Sequence, residues 1–269
     1  MGCNRHSVDT SQRWIEKGAR FGHVTKGVLY GLIGALALQV ALGAGGQVAG
    51  GQEAARFVGH QPFGQVLLVL IAVGLFGYSV WRFIEGIKDT ERKGSDGTGL
   101  AKRAAALASG LANGALAVVV LQMALGQSRG GASSSWVARV LAQPFGAVLI
   151  ALIGAAIVIA GVAQFYQAYS KKFLEMFRWH SMSATERRWI TRMGQVGYSA
   201  RGVVFPIIGI SLLRAALDAN PSASRGVREA LLEIAHSMAG QVLLGLVAVG
   251  FVAYGLFMLA SARYRHMPC

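Results

Sequence analysis

Arg13-Trp14-Ile15, followed by Gly22, Lys26-Gly27-Val28, Ile33-Gly34 and Leu38, returns at one constant offset as Arg188-Trp189-Ile190, Gly197, Arg201-Gly202-Val203, Ile208-Gly209 and Leu213. A third copy lies between these two. Leu38-Gln39-Val40-Ala41-Leu42-Gly43 is echoed by Leu121-Gln122-Met123-Ala124-Leu125-Gly126, and Gln61-Pro62-Phe63-Gly64 by Gln143-Pro144-Phe145-Gly146. Self-similarity at such a period sets the architecture before any chemistry. The repeats fall at 1–95, 96–180 and 181–269.

Each repeat holds two apolar runs, giving spans of about 24–42, 63–84, 104–125, 145–166, 197–217 and 240–260. All approach the ~20 residues that cross a bilayer as a helix. The runs are continuously apolar and lack the alternation of a barrel strand, so helices are the expected spanning form. Hydrophobic residues make up 54% of the chain and charged ones 14%, where a soluble domain carries about 25% charged residues. An even number of spans per repeat gives every copy the same orientation, about an axis along the membrane normal. The expected fold is therefore all-α: a polytopic membrane protein whose six transmembrane helices form three parallel two-helix repeats in a pseudo-threefold arrangement.

The formal net charge of +14 is distributed unevenly. Of 26 lysines and arginines, the loops away from the termini hold only Arg56, Arg129, Arg139, Arg214, Arg225 and Arg228. The positive-inside rule then places both termini in the cytoplasm. The basic face is matched to anionic lipid headgroups, and no nucleic-acid partner is expected. No signal peptide is expected ahead of the first span, because residues 1–20 carry Arg5, Arg13, Lys17 and Arg20 and no apolar core. His6 stands where a myristoylation pattern wants Ser or Thr. Cys3 and Cys269 lie at the extreme ends, which implies neither a disulfide framework nor a metal site.

Lipid tails give no hydrophobic drive for helix association, so small residues must supply close packing. Gly27 with Gly31, Gly110 with Gly114, and Gly202 and Gly250 are the expected contact positions, within the chain first and in a dimer second. Pro206 removes a backbone donor from the fifth span; its repeat counterparts are Gly31 and Gly114. On the outer side, Val137, Val140 and Leu141, and likewise Val227, Leu231 and Ile234, form short amphipathic runs expected to lie in the membrane interface. Ser183-Ala184-Thr185-Glu186 has capping-box spacing ahead of the fifth span. Phe173, Phe177, Trp179, Trp189 and Trp14 suit an aromatic belt.

Polar residues inside spans are the candidate functional positions. Lys26, Ser109 and Arg201 share one repeat position, and Gln39, Gln122 and Arg214 share another. They read either as two rings around a path for an anion or small polar solute, or as snorkelling cations and interhelical glutamines. Glu85 is placed to reach Lys26 or Arg82, but its equivalents Gln167 and Ser261 are neutral, so no proton relay crosses the membrane. His60 and His236 are equivalents without further ligands nearby, and His23, opposite Tyr198, reads as an interfacial anchor. The middle repeat has Ala160 and Ala163 where the others have Tyr78 and Tyr254, and Trp81 and Phe257. That loss of bulk gives tighter helix packing in one reading and a lateral groove for a lipid, pigment or partner helix in the other.

The basic residue followed by Gly-Val within residues 22–30 and 197–205, together with Tyr78-x-x-Trp81-Arg82-x-x-Glu85, resembles the bacterial family known as domain of unknown function 1206. That resemblance covers nearly the whole chain and implies tandem two-span units and a bacterial inner-membrane location, with no activity to carry over. The middle copy departs most, lacking the basic residue, the tyrosine and the tryptophan. Motifs for acyl, phosphoryl and metal-dependent catalysis are missing from the sequence, so an enzyme is not expected and no cofactor is implied. The leading expectation is a non-enzymatic scaffold or accessory subunit of a membrane complex. The alternatives are a carrier or channel for a small anion or polar solute, and a lipid-, haem- or pigment-binding protein.

Overall fold

A computed structural model describes residues 5–88, 96–127, 133–177, 182–237 and 239–264. Six long helices account for the spans: α1 (Arg5–Ala41), α3 (Gly64–Lys88), α4 (Gly97–Ala124), α6 (Gly146–Ser170), α7 (Ala184–Leu217) and α9 (Gly240–Tyr264). All six carry a stretch long and apolar enough to cross a membrane. Three short helices, α2 (Gly51–Gly59), α5 (Ser133–Leu141) and α8 (Val227–Ala235), each precede the second long helix of a repeat. The protein is thus an all-helical polytopic membrane protein of three two-helix repeats. The face where α1 begins and α9 ends is called the terminal face below, and the other the loop face.

Each short helix doubles back into its long partner through one tight turn. Phe63 and Phe145, equivalents in the first two repeats, adopt the left-handed region at φ 60° and 64°. The next residue is Gly64, Gly146 or Gly240. A side chain there would begin within 2.2 Å, 1.9 Å or 1.9 Å of the carbonyl oxygens of Gly59, Val140 and Ala235. Only glycine lets the chain reverse so close to the helix it has just left. The α7 terminus uses the expected capping box, with Ser183 Oγ accepting from the Glu186 amide at 3.2 Å and Glu186 from the Ser183 amide at 2.8 Å.

The most extensive contacts join neighbouring repeats: α1 along α9, α3 along α4, and α6 along α7. The pairs within the first and third repeats, α1 with α3 and α7 with α9, are smaller. Among the described residues α4 and α6, the pair of the middle repeat, have no comparable interface. The six helices therefore form a ring, in the order α4, α3, α1, α9, α7, α6, that is open at one seam. Burial agrees: the spanning stretches of α4 and α6 are the least buried of the six.

Side chains at one repeat position lock all three inter-repeat contacts at the terminal face. Arg20 donates to the Ala262 and Arg263 carbonyls at 2.7 and 3.1 Å, Arg103 to those of Gly86 and Ile87 at 2.8 and 2.9 Å, and Gln195 to that of Ala168 at 3.1 Å. In each case the last carbonyls of a second span, which a helix leaves unsatisfied, are met by the next repeat.

Toward the loop face the ring is filled. Ile33, Leu75, Val120, Val204, Val247 and Phe251 meet in one apolar core. Ala54, Ala55 and Val58 of α2 and Ala230, Leu231 and Ile234 of α8 belong to the same cluster. This corrects the expectation that the short amphipathic helices lie in the membrane interface. The tight turns carry α2 and α8 over the helix mouths, so their apolar faces meet protein. In α5, Val137 is likewise buried against Ile150 of α6 and Leu212 and Ala215 of α7. Phe173 and Phe177 are also interior, packed with Tyr198, Tyr254 and Phe257 rather than set at headgroups. Trp189 is exposed, while Trp179, Cys3 and Cys269 lie outside the described residues.

Candidate functional site

Two of the first spans carry a cation that ends over a tyrosine of its own repeat. Lys26 Nζ of α1 lies 4.2 Å from the ring centre of Tyr78 on α3, and Arg201 Cζ of α7 lies 4.5 Å from that of Tyr254 on α9. The Arg201 guanidinium also donates through Nη1 to the Tyr254 hydroxyl. Each tyrosine is held edge-on by the residue three before the cation, Tyr78 by His23 at 5.2 Å and Tyr254 by Tyr198 at 5.6 Å. His23 is buried, its Nδ1 2.7 Å from the Ala19 carbonyl oxygen, so it is a packing partner and not an interfacial anchor.

A glycine one turn before each cation makes this approach possible. A Cβ at Gly22 would lie 2.6 Å from Tyr78 Cβ, and one at Gly197 2.7 Å from Tyr254 Cα. The backbones therefore touch, and the tyrosine ring is delivered beneath the cation. The middle repeat has Ala105, Ser109 and Ala160 at these positions and has lost glycine, cation and ring together. The result is the open seam. Ala160 is half-buried and Ala163 exposed, so the small residues border an opening and tighter packing of this hairpin does not occur.

The two intact repeats converge on Tyr30. Its ring centre lies 5.8 Å from Lys26 Nζ and 5.7 Å from Arg201 Cζ, and it meets Tyr254 edge-on at 4.8 Å. Phe205, the repeat equivalent of Tyr30, covers Arg201 at 4.7 Å. Lys26 is 7% exposed and Arg201 half-buried, with its Nε shielded and without a hydrogen-bond partner. Among the described residues neither cation has a carboxylate partner. Glu85, itself buried, pairs with Arg82 at 2.5 Å and not with Lys26. Tyrosine faces offset part of the cost of burying a cation, but an ammonium has three donors and a guanidinium five. The arrangement is a cationic, donor-rich cluster suited to an anion.

The remaining sequence candidates are not gathered with these. Gln39, Gln122 and Arg214 are exposed, on helix faces opposite the buried Ala37, Val120 and Leu212, and form no ring around an axis. An axial path is further blocked by the apolar core. His60 and His236 are exposed at the C-terminal ends of α2 and α8. The glycines pack helices of this chain against one another. Gly27 faces the Gly255 carbonyl and Leu259, Gly110 the Ser79 carbonyl, Gly114 the Ser79 hydroxyl, Gly202 the Phe165 ring and Gly250 Ala200. At Gly31 a Cβ would meet open space, yet its backbone abuts Gly255. Tyr30, Gly22 and Gly197 complete the cluster; the sequence marks the two glycines as repeat landmarks without giving any of the three a role in the site. Their signal was the repeat register, with Gly22 four residues before Lys26 and Gly197 four before Arg201.

The family model of Domain of Unknown Function (DUF1206) matches three times, at residues 21–89, 104–171 and 196–265. Each match takes in both long helices of one repeat. The chain is also similar to the uncharacterized protein YxxB of Bacillus subtilis strain 168, at 33% identity over 255 residues covering 94% of this chain and 92% of that protein. No solved structure matches. Three tandem matches and a full-length relative agree with the threefold helical architecture, and the chain therefore belongs to the domain of unknown function 1206 family of membrane proteins.

Proposed function

We propose that this protein is a non-enzymatic anion-binding protein of the bacterial inner membrane, with Lys26 and Arg201 as the counter-charges and the tyrosines as walls. The observation that carries the reading is a pair of shielded cations around Tyr30 that have no carboxylate partner among the described residues. Burying a charge without compensation is costly, and an anion would relieve both cations at once. The uneven distribution of basic residues supports placing the terminal face, and with it the cluster, on the cytoplasmic side. A filled loop-face core argues for binding over conduction through the bundle.

The test is thermal unfolding of the detergent-solubilised protein in rising inorganic phosphate at constant ionic strength, with chloride as the balancing salt. Phosphate should raise the midpoint in the native chain and leave the Lys26→Gln, Arg201→Gln double variant unmoved. Equal responses in the two proteins would remove the anion site. A second reading, an accessory subunit holding a partner's transmembrane helix, is favoured by the open seam between α4 and α6. It predicts that a photocrosslinker at Ala163 captures one discrete protein in native membranes.

A further inference from the structure

The open seam lies beside the cations at the same level of the bundle. Ser109 and Ala160, which border it, occupy the repeat positions that hold Lys26 with Tyr78 and Arg201 with Tyr254. Toward the loop face Leu75, Val120, Val204 and Phe251 fill the ring under α2 and α8. Toward the terminal face Phe173, Phe177 and Phe257 pack beneath Tyr198 and Tyr254. The helix pairs on the far side are closed by contact. Among the described residues the gap between α4 and α6 is thus the open side of the cluster.

That gap has the chemistry of lipid chains along most of its length. Residues 104–124 of α4 and 146–170 of α6 contain no charged side chain. Ala112 and Leu116 share the helix face of Ser109, Ala156 and Ala163 share that of Ala160, and all four are exposed or half-buried. Polar groups occur at the level of the cations: Ser109 and Asn113 are half-buried on α4, and Gln164 Oε1 on α6 is shielded with no hydrogen-bond partner. Lys26 is the third residue of the apolar run 24–42, which puts it near the headgroup boundary of a ~30 Å hydrocarbon layer.

We propose that the anion is the phosphate of an anionic membrane lipid, which enters sideways between α4 and α6, places its headgroup against Lys26 and Arg201, and leaves its acyl chains in the seam. This rests on the anion-site reading and adds the ligand class and the route. Gln164 Oε1 asks for a donor, which a headgroup hydroxyl supplies. The lost glycine, cation and tyrosine of the middle repeat are then the doorway of a binding site.

The experiment is native mass spectrometry of the whole chain in neutral detergent, titrated with phosphatidylglycerol or phosphatidylcholine. The same samples are run in parallel through the inorganic phosphate unfolding assay. Two double variants are compared with the native protein. Lys26→Gln with Arg201→Gln removes the counter-charges. Ala160→Tyr with Ala163→Trp restores the rings of the first repeat and fills the seam without adding charge. The expected result is a single tightly held phosphatidylglycerol, preferred over phosphatidylcholine and weakened about tenfold or more in both variants, equivalent to one decade in dissociation constant. A native-like unfolding midpoint without ligand shows that the seam-filled variant is folded. Undiminished phosphatidylglycerol binding by that variant, or equal binding of the two lipids, overturns the lateral lipid site. Phosphate stabilisation without phosphatidylglycerol binding overturns it while leaving the anion reading intact. Loss of both responses in the native chain removes both.

Discussion

Lys26 and Arg201, one from the first repeat and one from the third, share a single aromatic ring: Tyr30 lies 5.8 Å from the ammonium and 5.7 Å from the guanidinium. Two like charges are thereby brought toward each other inside the membrane, separated by a face whose quadrupole attracts both. The ring holds the cluster together while keeping the cations' donors available.

Tyr30→Phe should be nearly neutral, because the ring face survives, whereas Tyr30→Leu should cost about 2 kcal/mol through two weakened cation–π contacts. Denaturant unfolding in mixed micelles measures both. Adding Lys26→Gln to Tyr30→Leu should recover part of the loss by removing one of the facing charges, and a double-mutant cycle reads that coupling directly. A Leu variant as stable as the native chain would show that the ring does not screen the pair.

The three turn glycines give a sharper test of the fold. Gly64→Ala, Gly146→Ala and Gly240→Ala each place a methyl within about 2.2 Å of a carbonyl oxygen. Each should destabilise by on the order of 3 kcal/mol, the upper end of ordinary single substitutions. Gly18→Ala, where a Cβ meets nothing within 4 Å, is the control and should be neutral or slightly stabilising. Thermal midpoints in one detergent would order the four.

Removing a cross-repeat cap should cost about 1 kcal/mol for each carbonyl hydrogen bond that water does not replace. Arg20→Ala and Arg103→Ala, which lose two contacts each, should therefore exceed Gln195→Ala, which loses one. The Arg20 and Arg103 caps sit on different interfaces with no shared partner, so their effects should add. Strong non-additivity in unfolding free energy would mean that the ring senses both ends together.

The spans, the threefold register and the two cations were legible because composition and spacing carry them directly. Helix order was not. Gly27, Gly110 and Gly202 announce close contact but not with which neighbour, and the larger interfaces turned out to lie between repeats. An amphipathic stripe such as Leu231 with Ile234 states that something apolar lies beneath it, and lipid and protein satisfy that equally. Ala160 and Ala163 posed the same ambiguity, since small side chains mark both tight seams and empty ones; the missing glycine at Ala105 was the discriminating residue. Arg20, Arg103 and Gln195 stood in register throughout, but charge near a helix end reads first as a headgroup contact.

The cap from Arg20 to the end of α9 joins the first helix to the last by the same geometry that the polypeptide uses at its two internal junctions. A lone two-helix unit accordingly carries both halves of its own docking surface, one on each helix. One donor position on the first helix and one set of terminal carbonyls on the second therefore serve every inter-repeat junction of the ring. Because all three caps run between repeats, the seam between α4 and α6 stays open without breaking any of them.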